Sequence, residues 1–227
     1  MGRALRVTAG DAVYHVLNRA NGRQALFEDE GDYAAFERVL AEAQQRVPMR
    51  LLAYCLMPNH WHLVLWPLRD GDLSRFMAWL TLTHSQRWHA HRHTTGSGHL
   101  YQGRFKSFLV QTDAHLVTVC RYVERNARRA QLVERAEQWR WGSLWRRASG
   151  QGSPGLRLDD GPVARPSPWV EWVNAAETDA ELRAVRQSVV RSQPFGETRW
   201  VEAMVDRLSL QVTQRPQGRP KLLKVGT

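Results

Sequence analysis

Between residues 12 and 126 the apolar residues change their spacing in one fixed order, and few folds can absorb that order. Residues 12–18 (AVYHVLN) alternate loosely, as a strand with one buried face does. Over 32–47 the apolar positions Tyr33, Phe36, Leu40 and Ala43 recur at helical spacing, with Asp29, Glu30 and Asp32 favouring the helix start. A mostly apolar run follows (49–57, MRLLAYCLM), then the turn signal Pro58-Asn59 and a second alternating run over 60–66, which together read as a hairpin. Residues 73–91 read as a second helix, 105–110 as a last strand, and Asp113 as the cap of a third helix to about 126. The order is β-α-β-β-α-β plus one helix: an α+β, ferredoxin-like antiparallel sheet.

After Trp145 the pattern loosens. The Gly-, Ser- and Pro-rich stretch 148–168 reads as a linker or long loop. Thr178-x-x-Glu181 is a capping-box pattern opening a helix to about 190, Pro194-Phe195-Gly196 breaks it, and a last helix covers about 197–208. The expected organisation is a catalytic domain over 1–147, a linker over 148–168, and a helical C-terminal extension with a basic tail over 169–227.

The chain has 227 residues and a formal charge of +10, and among its 32 basic residues only Lys106, Lys221 and Lys224 are lysines. Guanidinium forks match phosphate oxygens and stack on bases, so the arginine bias suits a nucleic-acid partner, although a GC-rich genome gives the same bias. Ten tryptophans are core mass or stacking platforms. Two cysteines, Cys55 and Cys120, cannot make a disulfide framework or a Cys-rich zinc site. No apolar run approaches a membrane span and the N-terminus has no signal-peptide core, so a cytoplasmic protein that avoids membranes is expected. No phosphate-binding P-loop pattern is present, and no nucleotide cofactor is expected.

His60 and His62 flank Trp61 on a strand, so period two places both imidazoles on one face, roughly 7 Å apart. Two such histidines can hold a divalent ion and leave positions open; taken alone, two histidines on a solvated strand face with Trp61 and Leu63 in the core is the plainer account. Tyr122 and Asn126 share a helix face at i and i+4, beside the apolar stripe Leu116, Val119, Cys120 and Val123. A boundary tyrosine is the plainer account of Tyr122 taken singly. Arg121, Arg125, Arg128 and Arg129 surround it, a solvated face or a place for a phosphodiester. His89, His91 and His93 (WHAHRH) form another cluster, at a helix end with no carboxylate or thiolate nearby in sequence.

Together these blocks resemble a family. Met57-Pro58-Asn59 followed by His60-Trp61-His62 looks like the HUH signature of single-strand DNA transposases, and LYQGRFKS (100–107) and CRYVERNARRAQLV (120–133) look like its conserved blocks. WRWGSLWRR (139–147), PWVEWVN, PFG and the GRPK tail are similar to one branch, the REP-associated tyrosine transposases; the likeness spans about 10–221. It implies Tyr122 as nucleophile, His60 and His62 as metal ligands and Asn126 as a third, with Mg²⁺ or Mn²⁺ as the cofactor. It also implies single-stranded DNA folded into REP or BIME hairpins as partner, cut and rejoined through a 5′-phosphotyrosine link. Where the family often has proline after the helix asparagine this chain has Ala127, which would let the helix run on.

Candidate DNA readers are Asn18, Arg19 and Arg23 at the first strand's end and Arg104 and Lys106 near the last strand. The segment carrying Arg183, Arg186 and Arg191 resembles a small helix-turn-helix, and Arg219 in Gly218-Arg219-Pro220 a minor-groove arm. A monomer is favoured over a dimer. The alternative function is a non-catalytic or domesticated sequence-specific single-stranded nucleic-acid-binding regulator, since such sheets also stack bases.

Overall fold

The computed structural model describes residues 8–214. Its centre is a four-stranded sheet of β1 (Val13–Arg19), β2 (Met49–Met57), β3 (His60–Pro67) and β4 (Lys106–Val110), ordered β2-β3-β1-β4 with every neighbour antiparallel. The helices α1 (Glu30–Arg46) and α2 (Asp72–His91) are the two crossovers. This is the ferredoxin-like order expected, with a helical extension behind it.

Both faces of the sheet are covered, which is why β2 is apolar at nearly every position and not merely at alternate ones. On one face Tyr14, Val16, Tyr54, Trp61 and Leu63 pack with Phe36, Leu40, Phe76 and Leu80 of α1 and α2. On the other, Val13, Cys55, Val64 and Phe108 meet Leu116, Val119, Cys120 and Val123 of α3 (Ala114–Glu124). The expected stripe of α3 thus presses on the sheet, and Asp113 caps the helix through the His115 N–H at 2.8 Å.

The third helix does not run on. It ends at Glu124; Arg125 adopts φ −82°, ψ −6°, and a new turn, α4 (Asn126–Arg129), begins. With ψ near zero the chain swings, and Asn126 and Ala127 become buried where a continued helix would have carried on its old direction. Ala127 permits helix but does not enforce it; packing decides.

The remaining helices are α5 (Ser143–Ser149), α6 (Trp169–Asn174), α7 (Asp179–Arg191) and α8 (Thr198–Arg207). The stretch 148–168 is a docked loop, not a free spacer: the Asp159 N–H donates to the Leu51 carbonyl at 2.9 Å, the Leu51 N–H to Asp159 Oδ2 at 3.1 Å, and Arg165 to the Leu52 carbonyl at 2.6 Å. Farther along β2, the Leu56 N–H donates to the Trp141 carbonyl and the Tyr54 N–H to Ser143 Oγ. At the opposite edge Phe195 exchanges backbone hydrogen bonds with Leu109 and Gln111. Both sheet edges are therefore paired in part by the chain's own later segments. Close approach here requires Gly196: a Cβ would stand 2.5 Å from Gln111 Oε1 and from the Trp200 ring. Among the described residues no helix is long and apolar enough to cross a membrane.

Candidate active site

Antiparallel pairing places Arg19 opposite His60 and Leu17 opposite His62, so the end of β1 and the start of β3 form one floor. Alternation sends Trp61 into the helix-covered core and both histidines toward α3. The two imidazole rings lie 5.1 Å apart, nearly perpendicular. His60 Nδ1 is 2.7 Å from Asn59 Oδ1, an acceptor that holds the proton on Nδ1 and leaves the Nε2 lone pair outward.

His62 has a partner that the sequence did not suggest. His15 of β1 is fully buried, its Nε2 2.9 Å from His62 Nδ1 and its ring stacked on His62 at 5.0 Å; its own Nδ1 is buried without a partner. Burial drives the His15 imidazole down to about 3, and burial with Arg19 and Arg129 nearby takes His60 to about 4. Burial first, then His15 and His60, push His62 well below the ordinary histidine range. All three are neutral at pH 7, the form that has a lone pair to give. The one available signal for His15 was its phase in β1, two residues after Val13; an alternation pattern reads such a histidine as a core position.

Tyr122 reaches this floor from α3 of the same chain. Its ring centroid lies 6.0 Å from that of His62 and 6.1 Å from that of His15, nearly perpendicular to both. Its hydroxyl makes no hydrogen bond among the described residues. The Arg129 guanidinium stacks over the ring at 4.2 Å and donates from Nη2 to Asn126 Oδ1 at 2.6 Å. Asn126 Nδ2 is buried without a partner. Glu177, just before α7, accepts from Arg129 Nη1 at 3.0 Å and lies 3.4 Å from Arg125 Nε.

Three of the four arginines expected to face a phosphodiester donate to backbone carbonyls. Arg121 donates to the carbonyls of Trp172, Ala175 and Ala176 and stacks on Trp172; Arg125 donates to those of Val173 and Asn174. These carbonyls end α6, where unpaired acceptors and the helix dipole attract cations, so both side chains clamp the extension. Arg128 donates to the Glu134 carbonyl. Asn18 is also turned inward, its amide joining Gly103 O at 3.3 Å and the Arg19 N–H at 2.9 Å. In contrast Arg23, Arg104, Lys106, Arg183 and Arg186 are exposed, and Arg19 and Arg191 half-buried. Lys106 pairs with Leu17, and so stands at the sheet end that carries the histidines. Arg219 lies outside the described residues. At the end of α2, His89 Nδ1 meets Thr94 Oγ1 at 2.9 Å, and among the described residues no group of three or more His, Cys, Asp or Glu side chains is placed to hold a metal ion.

A family model described as transposase IS200-like matches residues 8–126, more than half of the chain and the whole span from β1 to Asn126. The chain belongs to the family of IS200-like transposases. Among solved structures, one described as a REP-associated tyrosine transposase bound to a REP hairpin is similar over 70% of this chain and 93% of that chain, with TM-score 0.51 and 16% identity. The crystal structure of a candidate transposase from Deinococcus radiodurans R1 covers 55% of this chain and 95% of its own, with TM-score 0.39 and 19% identity. No curated protein matches. The first likeness supports the fold: a mixed α+β chain around a four-stranded antiparallel sheet, as in this transposase family.

The divalent ion that the resemblance implies can be weighed against the chemistry of these side chains. Two neutral imidazoles on one face, one already oriented through Nδ1, suit a borderline or hard divalent ion. Asn126 offers a carboxamide oxygen of the right hardness, which Arg129 holds. The donor set fits the ion, with the asparagine oxygen shared.

Proposed function

We propose that this transposase nicks single-stranded DNA beside a hairpin and rejoins it, with Tyr122 as the nucleophile. The observation that carries the reading is the Tyr122 ring facing His62 and His15 at about 6 Å within one chain, on the sheet end where Arg19 and Lys106 stand. His60, His62 and Asn126 would hold Mg²⁺ or Mn²⁺. That ion, when bound, polarises the scissile phosphate and steadies the charge that develops on it.

The remaining work falls to the chain. A phenol is a weak nucleophile at neutral pH, so its placement matters most. The sheet floor and the Arg129 guanidinium fix the ring from two sides, leaving the hydroxyl unencumbered. Attack of the Tyr122 oxygen on phosphorus forms the P–O(Tyr) bond and breaks the bond to the 3′ oxygen; the phenolic proton leaves to solvent and the 3′ oxygen departs as a hydroxyl. One phosphodiester replaces another, so a DNA 3′-hydroxyl can reverse the step without ATP. Arg19, Arg23, Arg104 and Lys106 would receive the strand beside the cut, and the exposed arginines of α7 the stem. Because the nucleophile and both histidines belong to one chain, we further propose that a monomer suffices. A REP-type hairpin is the substrate we propose to try first, since a solved structure of similar fold is described as bound to one.

The test is a covalent adduct, stable to SDS, on a 3′-end-labelled single-stranded hairpin oligonucleotide with Mn²⁺. Tyr122→Phe should bind the oligonucleotide as tightly and form no adduct. Adduct formation by the phenylalanine variant overturns the assignment.

A further inference from the structure

One guanidinium touches the would-be nucleophile, the would-be third ligand and the C-terminal extension. Arg129 stacks on Tyr122 at 4.2 Å, holds Asn126 Oδ1 at 2.6 Å and pairs with Glu177 at 3.0 Å, while both its terminal nitrogens lie 3.4 Å from the Tyr122 carbonyl. The Arg129 side chain is 17% exposed and that of Glu177 5%, so these contacts are poorly screened. A monovalent guanidinium and a divalent ion on the same carboxamide oxygen repel, and in a partly dry site the repulsion is large.

We propose that Arg129 is a positioning residue that competes for Asn126: it holds the carboxamide in a resting arrangement, releases it when the ion arrives, and stays over the Tyr122 ring because Glu177 retains it. The proposal rests on the reading of Tyr122, His60, His62 and Asn126 given above. Glu177 has two functions in it. Its carboxylate offsets the guanidinium charge that would otherwise oppose a cation, and it ties the position of the catalytic turn to the chain leading into α7. Once released from Asn126, Arg129 Nη2 is free to donate to a non-bridging oxygen of an incoming phosphate, beside the phenol that attacks it, while Nη1 stays on Glu177. Arg125 shares Glu177 but is anchored by the α6 carbonyls, so it cannot take this part.

The competition gives opposite signs to two substitutions. Arg129→Met keeps the apolar stem over Tyr122 and removes the charge; the full-length variant without DNA should bind Mn²⁺ more tightly, on the order of tenfold. Its adduct formation at saturating hairpin DNA should nevertheless slow, with DNA affinity little changed. Glu177→Gln leaves the guanidinium uncompensated and should weaken Mn²⁺ binding by a similar factor. Arg129→Lys, which keeps the charge but not the fork, should bind Mn²⁺ no more tightly than the wild type and should not recover the adduct rate. Mn²⁺ binding is read by electron paramagnetic resonance of the free ion, and adducts on denaturing gels. If Arg129→Met binds Mn²⁺ as the wild type does, or more weakly, the proposal is overturned, while adduct formation by the wild type leaves the Tyr122 reading standing. If Arg129→Met does not fold, a Glu177→Gln variant with unchanged or tighter Mn²⁺ binding overturns it equally. A wild-type protein that binds no Mn²⁺ overturns both.

Discussion

At position 15 a histidine stands in the phase of Val13, inside a strand, and its behaviour follows from burial alone. Charging an imidazole there would leave an ammonium-like ion without solvent or counter-charge, so it stays neutral. His84 is held neutral likewise: it shares a hydrogen bond with the Tyr101 hydroxyl at 2.7 Å, and burial outweighs the opposing Asp32 and brings it to about 3. In the unfolded chain these residues titrate near 6.5. Between about 3 and 6.5 the unfolded state binds more protons than the native one, so stability is fully present above 6.5 and is lost as the pH falls toward 3. Urea midpoints should therefore drop steadily from pH 7 to pH 4, and His84→Gln should flatten part of that slope. A slope that His84→Gln leaves unchanged would show that other groups set it. The placement of His60 and His62 on one strand face, and of Tyr122 at the edge of the α3 stripe, was legible because strand and helix periods fix which side chains share a face. His15 was not legible, because a neutral buried histidine follows the same alternation as valine. Nor were the fates of Arg121 and Arg125: whether an arginine meets phosphate or carbonyl depends on what packs beside it.

Among the elements, α3 shows how a helix boundary is decided. Its amphipathic stripe and its cap were readable from sequence and are where they were expected, but the break at Arg125 comes from packing that turns Asn126 inward. The helix α7 was equally readable: Thr178 Oγ1 accepts from the Glu181 N–H at 3.2 Å and Glu181 Oε2 from the Thr178 N–H at 2.8 Å. That box fixes the start of α7 just after Glu177, the partner of Arg129. Thr178→Ala should cost about 1 kcal/mol of stability, measured by chemical denaturation. On the competition proposed for Arg129 it should also weaken Mn²⁺ binding, by loosening Glu177.

For the whole molecule, the feature that matters is how the chain after residue 138 closes the sheet. Its loops pair the backbone of β2, the 194–196 segment pairs β4, and α6 and α7 cover α3. A chain ending at residue 149 keeps all the proposed catalytic side chains but opens part of the β2 edge and the paired part of the β4 edge, and leaves Arg121 and Arg125 without acceptors. Such edges recruit other strands. The truncated protein should elute as oligomers or aggregate in size-exclusion chromatography with light scattering, whereas the full chain should not; a monodisperse, stable truncation would show that the extension is dispensable for folding.

The sequence by itself determined the order of strands and helices, the face on which His60 and His62 stand, and the stripe that seats α3, because all of these are periodicities of a local backbone. It also placed Tyr122 and Asn126 four residues apart. Only the tertiary structure decided that His15 stands behind His62, that Arg129 holds Asn126 against Glu177, and that the glycine-rich stretch is docked along β2. These are meetings of residues far apart in the chain, and no local spacing encodes which partner a buried donor or charge will find.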